Sequence, residues 1–190
     1  MLFIGADPDL HTSALAAVDS DGHVVALEVF RSKGETGREA VVEMAKIIAA
    51  FGNQVAFDDQ VIAVESQEIY RGAGQKADTK NPDDLLCLAT VSGVLLGMLQ
   101  GFHKTKIAYL PKPKEWKGDV PKAIHQARTC TKLEWGYKQF KDHCVPTDFP
   151  DNTLLHVLDI IEKIRQSDWK HVLDAIGLAL WAKDKYEGKK

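Results

Sequence analysis

The chain is short of cysteine, of long apolar runs and of basic charge, and each shortage excludes something. Its three cysteines, Cys87, Cys130 and Cys144, are odd in number and lack the paired spacing of a zinc site. Reduced, buried thiols are expected, without a disulfide framework. No window approaches the roughly 18 consecutive apolar residues that a membrane span requires. The opening MLFIGADPD turns acidic after a few apolar residues, unlike the basic start and long apolar run of a signal peptide. A soluble, cytoplasmic protein is expected. The formal net charge of -3 argues mildly against a nucleic-acid partner, because such binding is driven by lysine and arginine neutralising phosphates.

What is present reads as one ordinary globular domain over residues 1–190, with 45% hydrophobic and 27% charged residues. The negative total also hides a basic segment. KTKIAYLPKPKEWKGDVPK, residues 104–122, carries six lysines against only Glu115 and Asp119. Taken alone it is a solvated lysine-rich loop; beside a site for an anion it is a binding surface.

LFIGAD (2–7) and SALAAVD (13–19) are short apolar runs, and Asp21-Gly22 separates the second from HVVALEVF, a strong hairpin signal. Three antiparallel strands are expected. TGREAVVEMAKIIAAF, from Thr36, has apolar residues near helical spacing and ends at Phe51-Gly52. QVIAVE, ending at Glu65, is nearly continuous in apolar character, which suits a central parallel strand covered on both faces. Asn81, Pro82 and two aspartates then open a long helix in the manner of a capped N-terminus. KIAYL predicts a fifth strand, and VPKAIHQARTCTKL a helix entered through Pro121. The order predicts an α/β fold, a mixed five-stranded sheet with helices on both faces. Residues 136–152 have loop composition, and two helices follow, TLLHVLDIIEKIRQ and a stretch from about Asp168 to Tyr186.

Asp7 and Glu65 each close an apolar strand. If those strands lie side by side and parallel, their carboxylates converge where ligands gather in α/β sheets. Such acids repel unless a cation joins them, and hard oxygen donors suit Mg²⁺ or Mn²⁺. The competing reading makes DPD simple turn chemistry and Glu65 a solvated strand end. The tetrapeptide HVLD occurs twice, at 156–159 and 171–174, and on a helix each copy sets a histidine and an aspartate on one face.

With these residues in view, the sequence resembles the RuvC-type Holliday junction resolvases, including phage-encoded members. IGADPDLHTSALAAVDSDG is similar to their first hairpin. IAVESQEIYRGAGQKADTKNPDDLLCLATVSGVLLGML is similar to their fourth strand, loop and long helix, and HVLDAIGLALWA to their final helix. PKPKEWKGDVPKAIHQAR is similar to a tryptophan and lysine segment of the phage relatives. The resemblance covers most of 1–135 and 168–186, in order. It implies a ribonuclease H-like fold in which Asp7, Glu65, His171 and Asp174 bind two Mg²⁺ or Mn²⁺ ions. It further implies junction resolution by paired symmetric nicks leaving 5′-phosphate and 3′-hydroxyl ends. The second HVLD copy, followed by small apolar residues with Gly177 permitting close approach, is expected to carry the chemistry, and His156 with Asp159 to be a surface pair.

The resemblance also implies that Lys122, with Lys117 as the alternative, stands near the scissile phosphate. Lys112, Lys114, Trp116 and Tyr70 are candidate DNA contacts, Tyr70 as the aromatic wedge; Trp116 either stacks on a base or is a buried tryptophan. A homodimer is implied, joined along the helix of Gly93 and Gly97. Asp9 replaces the family's glycine and is read as a turn residue rather than an outer metal ligand. Residues 136–167 are longer than the family pattern and read as an insertion with an extra helix. A flap, fork or RNA-strand nuclease of the same fold, or a non-catalytic nucleic-acid-binding module, stays open. The lack of a glycine-rich loop after Asp7 argues against a kinase-like nucleotide binder.

Overall fold

A computed structural model of the chain describes residues 1–31, 39, 41–43, 51, 59–66, 82–102, 104–140 and 142–189, with the side chains of 82–85 and 102 left out. Five strands form one sheet: β1 (Leu2–Asp7), β2 (Thr12–Val18), β3 (Val24–Arg31), β4 (Gln60–Val64) and β5 (Thr105–Tyr109). The spatial order is β3-β2-β1-β4-β5. β1, β2 and β3 pair antiparallel, whereas β4 runs parallel to both β1 and β5. The first hairpin turns where Asp21-Gly22 predicts, with Gly22 at φ +95°. Of the helix expected from Thr36, Glu39, Val41–Glu43 and Phe51 are described and are helical.

Helices cover both faces, as the order of elements predicts. α1 (Pro82–Phe102) lies on one face, where Val91, Leu95 and Leu99 meet Leu2, Ile4, Ile62 and Val64. The last helix, α5 (Trp169–Tyr186), lies on the other, where Val172, Ala175, Ile176 and Ala179 share a core with Phe3, Val61 and Ala63. Period-2 alternation therefore sends Leu2, Ile4 and Ala6 toward α1, and Phe3, Gly5 and Asp7 toward α5. The approach of α5 to the sheet depends on Gly5. A Cβ there would stand 2.0 Å from the Ala175 carbonyl oxygen and 2.5 Å from the Ala179 nitrogen. Gly177, expected to serve that approach, instead admits Trp116 and His125 on the far side of α5.

Between sheet and final helix run α2 (Pro113–Lys117), α3 (Lys122–Lys132) and α4 (Leu155–Ile161). α2 is a single turn inside the expected lysine-rich loop, its start secured by the Lys112 N–H donating to Glu115 Oε2 at 2.6 Å. Residues 136–148, read from composition as a loop, form a hairpin of β6 (Gly136–Gln139) and β7 (Cys144–Asp148). Pro146 sits opposite Tyr137 beside an irregularity in register, so neither strand has the alternation that would announce it. The helix expected over 153–166 is confined to α4. Asp168, expected to cap α5 with its side chain, makes no such bond and pairs with Arg31 instead. Among the described residues, no helix is long and apolar enough to cross a membrane.

Candidate functional site

The parallel pairing of β1 with β4 sets Ala6 beside Val64, and the Glu65 N–H donates to the Ala6 carbonyl at 3.0 Å. Asp7 and Glu65 thus close adjacent strands. Counting by twos along each strand puts both side chains on the α5 face. α5 supplies His171 and Asp174 from its first two turns. His171 Nδ1 lies 2.8 Å from Asp7 Oδ2, and the side chains of Asp7, Glu65 and Asp174 are 11%, 11% and 1% exposed. Four residues from three segments far apart in sequence converge at the carboxyl ends of the strands. The competing reading of Asp7 as a turn residue does not hold; that role belongs to Asp9, whose Oδ1 accepts the His11 and Thr12 N–H groups.

Two lysines enter this acidic cluster from the basic segment. Lys122, the first residue of α3, puts Nζ 2.6 Å from Asp174 Oδ2. Lys117, at the end of α2, reaches Glu65 Oε2 at 3.4 Å and Asp174 Oδ2 at 3.9 Å, and so bridges the two acids. Burial pushes Asp7 above the usual carboxylate range, and the nearby Asp174 adds to that. Burial, with repulsion from Asp7, pushes Glu65 up to about 7 against the pull of Lys117. Burial opposes the charge on Lys122, but Asp174 and Asp7 outweigh it and raise its pKa. Three buried carboxylates against two ammonium groups leave a surplus of negative character, held off by partial protonation.

Two further residues orient these acids. Trp116 is buried, and its indole N–H donates to Glu65 Oε2 at 3.0 Å, which is the buried alternative for this tryptophan rather than the stacking one. Gln126 is fully buried. Its Nε2 donates to Asp174 Oδ1 and to the Lys170 carbonyl, both at 2.9 Å, while its Oε1 accepts the Cys144 N–H at 3.0 Å. Every polar atom of that amide is used, so Asp174 faces a donor and β7 is tied to the cluster. Gln126 escaped the sequence reading; its four-residue spacing from Lys122, which puts both on one helical face, was the available signal.

The first HVLD copy lies elsewhere. His156 and Asp159 are exposed on α4, and His156 Nε2 meets the Val25 carbonyl at 2.7 Å. Lys114 pairs with Asp119 on the surface, and Lys112 is exposed at the start of α2. Tyr70 lies outside the described residues. One compact group of potential metal ligands among the described residues, Asp19, Asp21 and His23, is in the first hairpin turn, away from this cluster. There Asp19 Oδ1 already accepts the N–H groups of Asp21, Gly22 and His23, each at 2.9 Å, which is turn chemistry.

Against solved structures, the chain matches Thermus thermophilus RuvC in complex with a Holliday junction substrate. The TM-score is 0.62 at 18% identity, over 99% of this chain and 97% of that one. The fold is that of RuvC. A second Thermus thermophilus RuvC structure agrees, with TM-score 0.59 and 20% identity over 100% and 98% of the two chains. The likeness to RuvC is one of fold, over nearly the whole length of both chains. No family model matches the sequence, and neither does any curated protein.

Proposed function

We propose that this chain is a metal-dependent endonuclease that resolves four-way DNA junctions by paired symmetric nicks, leaving 5′-phosphate and 3′-hydroxyl ends. The observation that carries the reading is the convergence of Asp7, Glu65 and Asp174 with His171 at the strand ends of a RuvC fold. The donor set fits divalent cations of the Mg²⁺ or Mn²⁺ kind. Its carboxylates are hard oxygen ligands, and burial without enough countercharge is what a cation would relieve. Asp7, Glu65, Asp174 and His171 would hold two ions, supplying an activated water and stabilisation of the leaving oxygen.

The remaining roles fall to this chain's own groups. His171 is oriented through Nδ1 by Asp7, leaving its other nitrogen for ligation or for ordering water. Lys122 and Lys117, which pair with the acids, would also serve the scissile phosphate and its developing charge. Trp116 and Gln126 hold Glu65 and Asp174 in place. Lys112 and Lys114, exposed on the same segment, contact flanking phosphates. Paired nicks call for two copies of the site. On α1, Gly93, Gly97 and Gly101 recur every four residues, no atom of the described residues would lie within 4 Å of a Cβ there, and Leu86 is 68% exposed. That strip supports a homodimer joined along α1.

Asp7→Asn tests the assignment. It should abolish nicking of a four-way junction while leaving junction affinity within about threefold of wild type, since phosphate contacts supply most of that affinity. Retained cleavage in a folded Asp7→Asn protein would contradict the role of the cluster.

A further inference from the structure

Beside the acidic cluster, α2, α3 and α5 enclose a crevice of about 240 Å³. Its walls are Trp116, Trp181, Leu180 and the bare backbone of Gly177, and among the described residues its cations are Lys117, Arg128 and Lys132 against the one carboxylate of Asp184. Aromatic walls with a cationic rim are what a stacked base with its phosphate requires. The volume is below the ~300 Å³ at which pockets for drug-sized ligands begin, so it suits one base and not a longer strand. A larger crevice of about 340 Å³ at the hairpin end, with Asp21, Glu134 and Asp184 against Lys132 and Lys183, has the wrong balance for a phosphate.

The crevice also holds an unmet hydrogen-bonding atom. His125, set edge-on to Trp116 with ring centroids 4.7 Å apart, lines it, and His125 Nε2 is buried with no partner among the described residues. Burial lowers His125 to about 4, so near neutral pH it is an uncharged ring able to donate to or accept from a base edge. Lys117 joins the two sites. Its Nζ lies 3.4 Å from Glu65 Oε2 and 4.8 Å from the Trp116 ring centroid, so a chain phosphate there would be shared between the acidic cluster and the crevice. The Lys132–Asp184 pair at the rim is 3.0 Å long but exposed, and such pairs cost little to open.

We infer that this crevice is a nucleotide subsite, which takes the unstacked base next to the scissile phosphate, with Trp181 as the stacking wall, the buried Trp116 closing its inner end and Arg128 on its phosphate. The identity of the ligand as part of a branched DNA rests on the proposed function; the crevice's chemistry does not.

The chain has four tryptophans, so uniform 5-fluorotryptophan labelling gives four ¹⁹F signals. Titration with the four deoxynucleoside monophosphates, without metal, should move the Trp116 and Trp181 signals saturably and leave Trp135 and Trp169 in place. Inorganic phosphate should move neither pair. Arg128→Glu, at an exposed position, should weaken the nucleotide effect roughly tenfold by reversing the charge on the phosphate's partner. In an Asp7→Asn background, a four-way junction should move the same two signals, and a junction abasic beside the nick position should not move Trp181. Equal response in wild type and Arg128→Glu, or no movement of Trp181, overturns the subsite. Response to mononucleotides but not to the junction overturns its placement on the substrate. Junction nicking without these shifts leaves the nuclease reading standing and removes the subsite; the shifts without nicking do the reverse.

Discussion

Glu65 and Asp7, both raised by burial, govern the pH behaviour of the protein without divalent cation. Burial holds the Glu65 proton on up to about 7 in the folded chain, against an ordinary 4.5. The folded state therefore binds more protons than the unfolded state between those values, and stability falls as pH rises through that window. The loss is on the order of 3 kcal/mol. Thermal melts without divalent cation should drop in Tm from pH 4.5 to pH 7.5, and Glu65→Gln should flatten part of the drop, with Asp7 carrying the rest. Mn²⁺ should restore more stability at pH 7.5 than at pH 5. A melt that improves with pH in the metal-free wild type would contradict the buried, undercompensated cluster. The two histidines of the HVLD copies divide the same way. His171→Ala should cut junction nicking by about 10²-fold or more, as expected for a lost ligand or proton-transfer group. His156→Ala, on an exposed α4 position, should leave the rate within a factor of about 2, in line with the small effects of surface changes.

At the scale of elements, two glycines make opposite predictions. Gly5→Ala drives a methyl group into the α5 backbone, 2.0 Å from the Ala175 oxygen, and should cost about 3 kcal/mol or more, since overpacking against backbone has no side chain to yield. Gly97→Ala meets no atom of the described residues within 4 Å and sits inside α1, so it should stabilise an isolated monomer by roughly 0.5–1 kcal/mol. Denaturant melts of the two variants check both signs. The strands and helices around these glycines were legible because apolar runs, the Asp-Gly turn and the Pro-Asp-Asp opening of α1 all point one way; the expected cap, Asn81, lies outside the described residues. The β6–β7 hairpin was not, because Pro146 and a shifted register erase its pattern. Within the cluster, Asp7 and Glu65 were legible as acids closing apolar strands; helical spacing offered both HVLD copies alike, and the family resemblance chose His171 with Asp174. Trp116 and Gln126 depend on how α2 and α3 approach the sheet, which local sequence does not encode.

Over the whole molecule, a net charge of -3 coexists with a proposed polyanionic partner because the charges are sorted. Lys117 and Lys122 stand among the acids, and Lys112 and Lys114 lie on the surface beside them. Divalent ions at the cluster would convert its local charge from negative to positive. The homodimer reading predicts that Gly97→Glu, on an open face of α1, yields a folded monomer by light scattering that still binds a junction but no longer makes coordinated nicks. A Gly97→Glu protein that keeps the wild-type mass in solution would move the interface away from α1. The most direct measurement is nicking of a synthetic four-way junction in Mg²⁺ and in Mn²⁺, with a linear duplex and a flap as controls and each strand end-labelled. The predicted result is a pair of symmetric nicks across the junction, dependent on the cation, with ligatable 5′-phosphate ends and the duplex left intact. No cleavage of any branched substrate by a folded protein that binds the junction would contradict the nuclease reading.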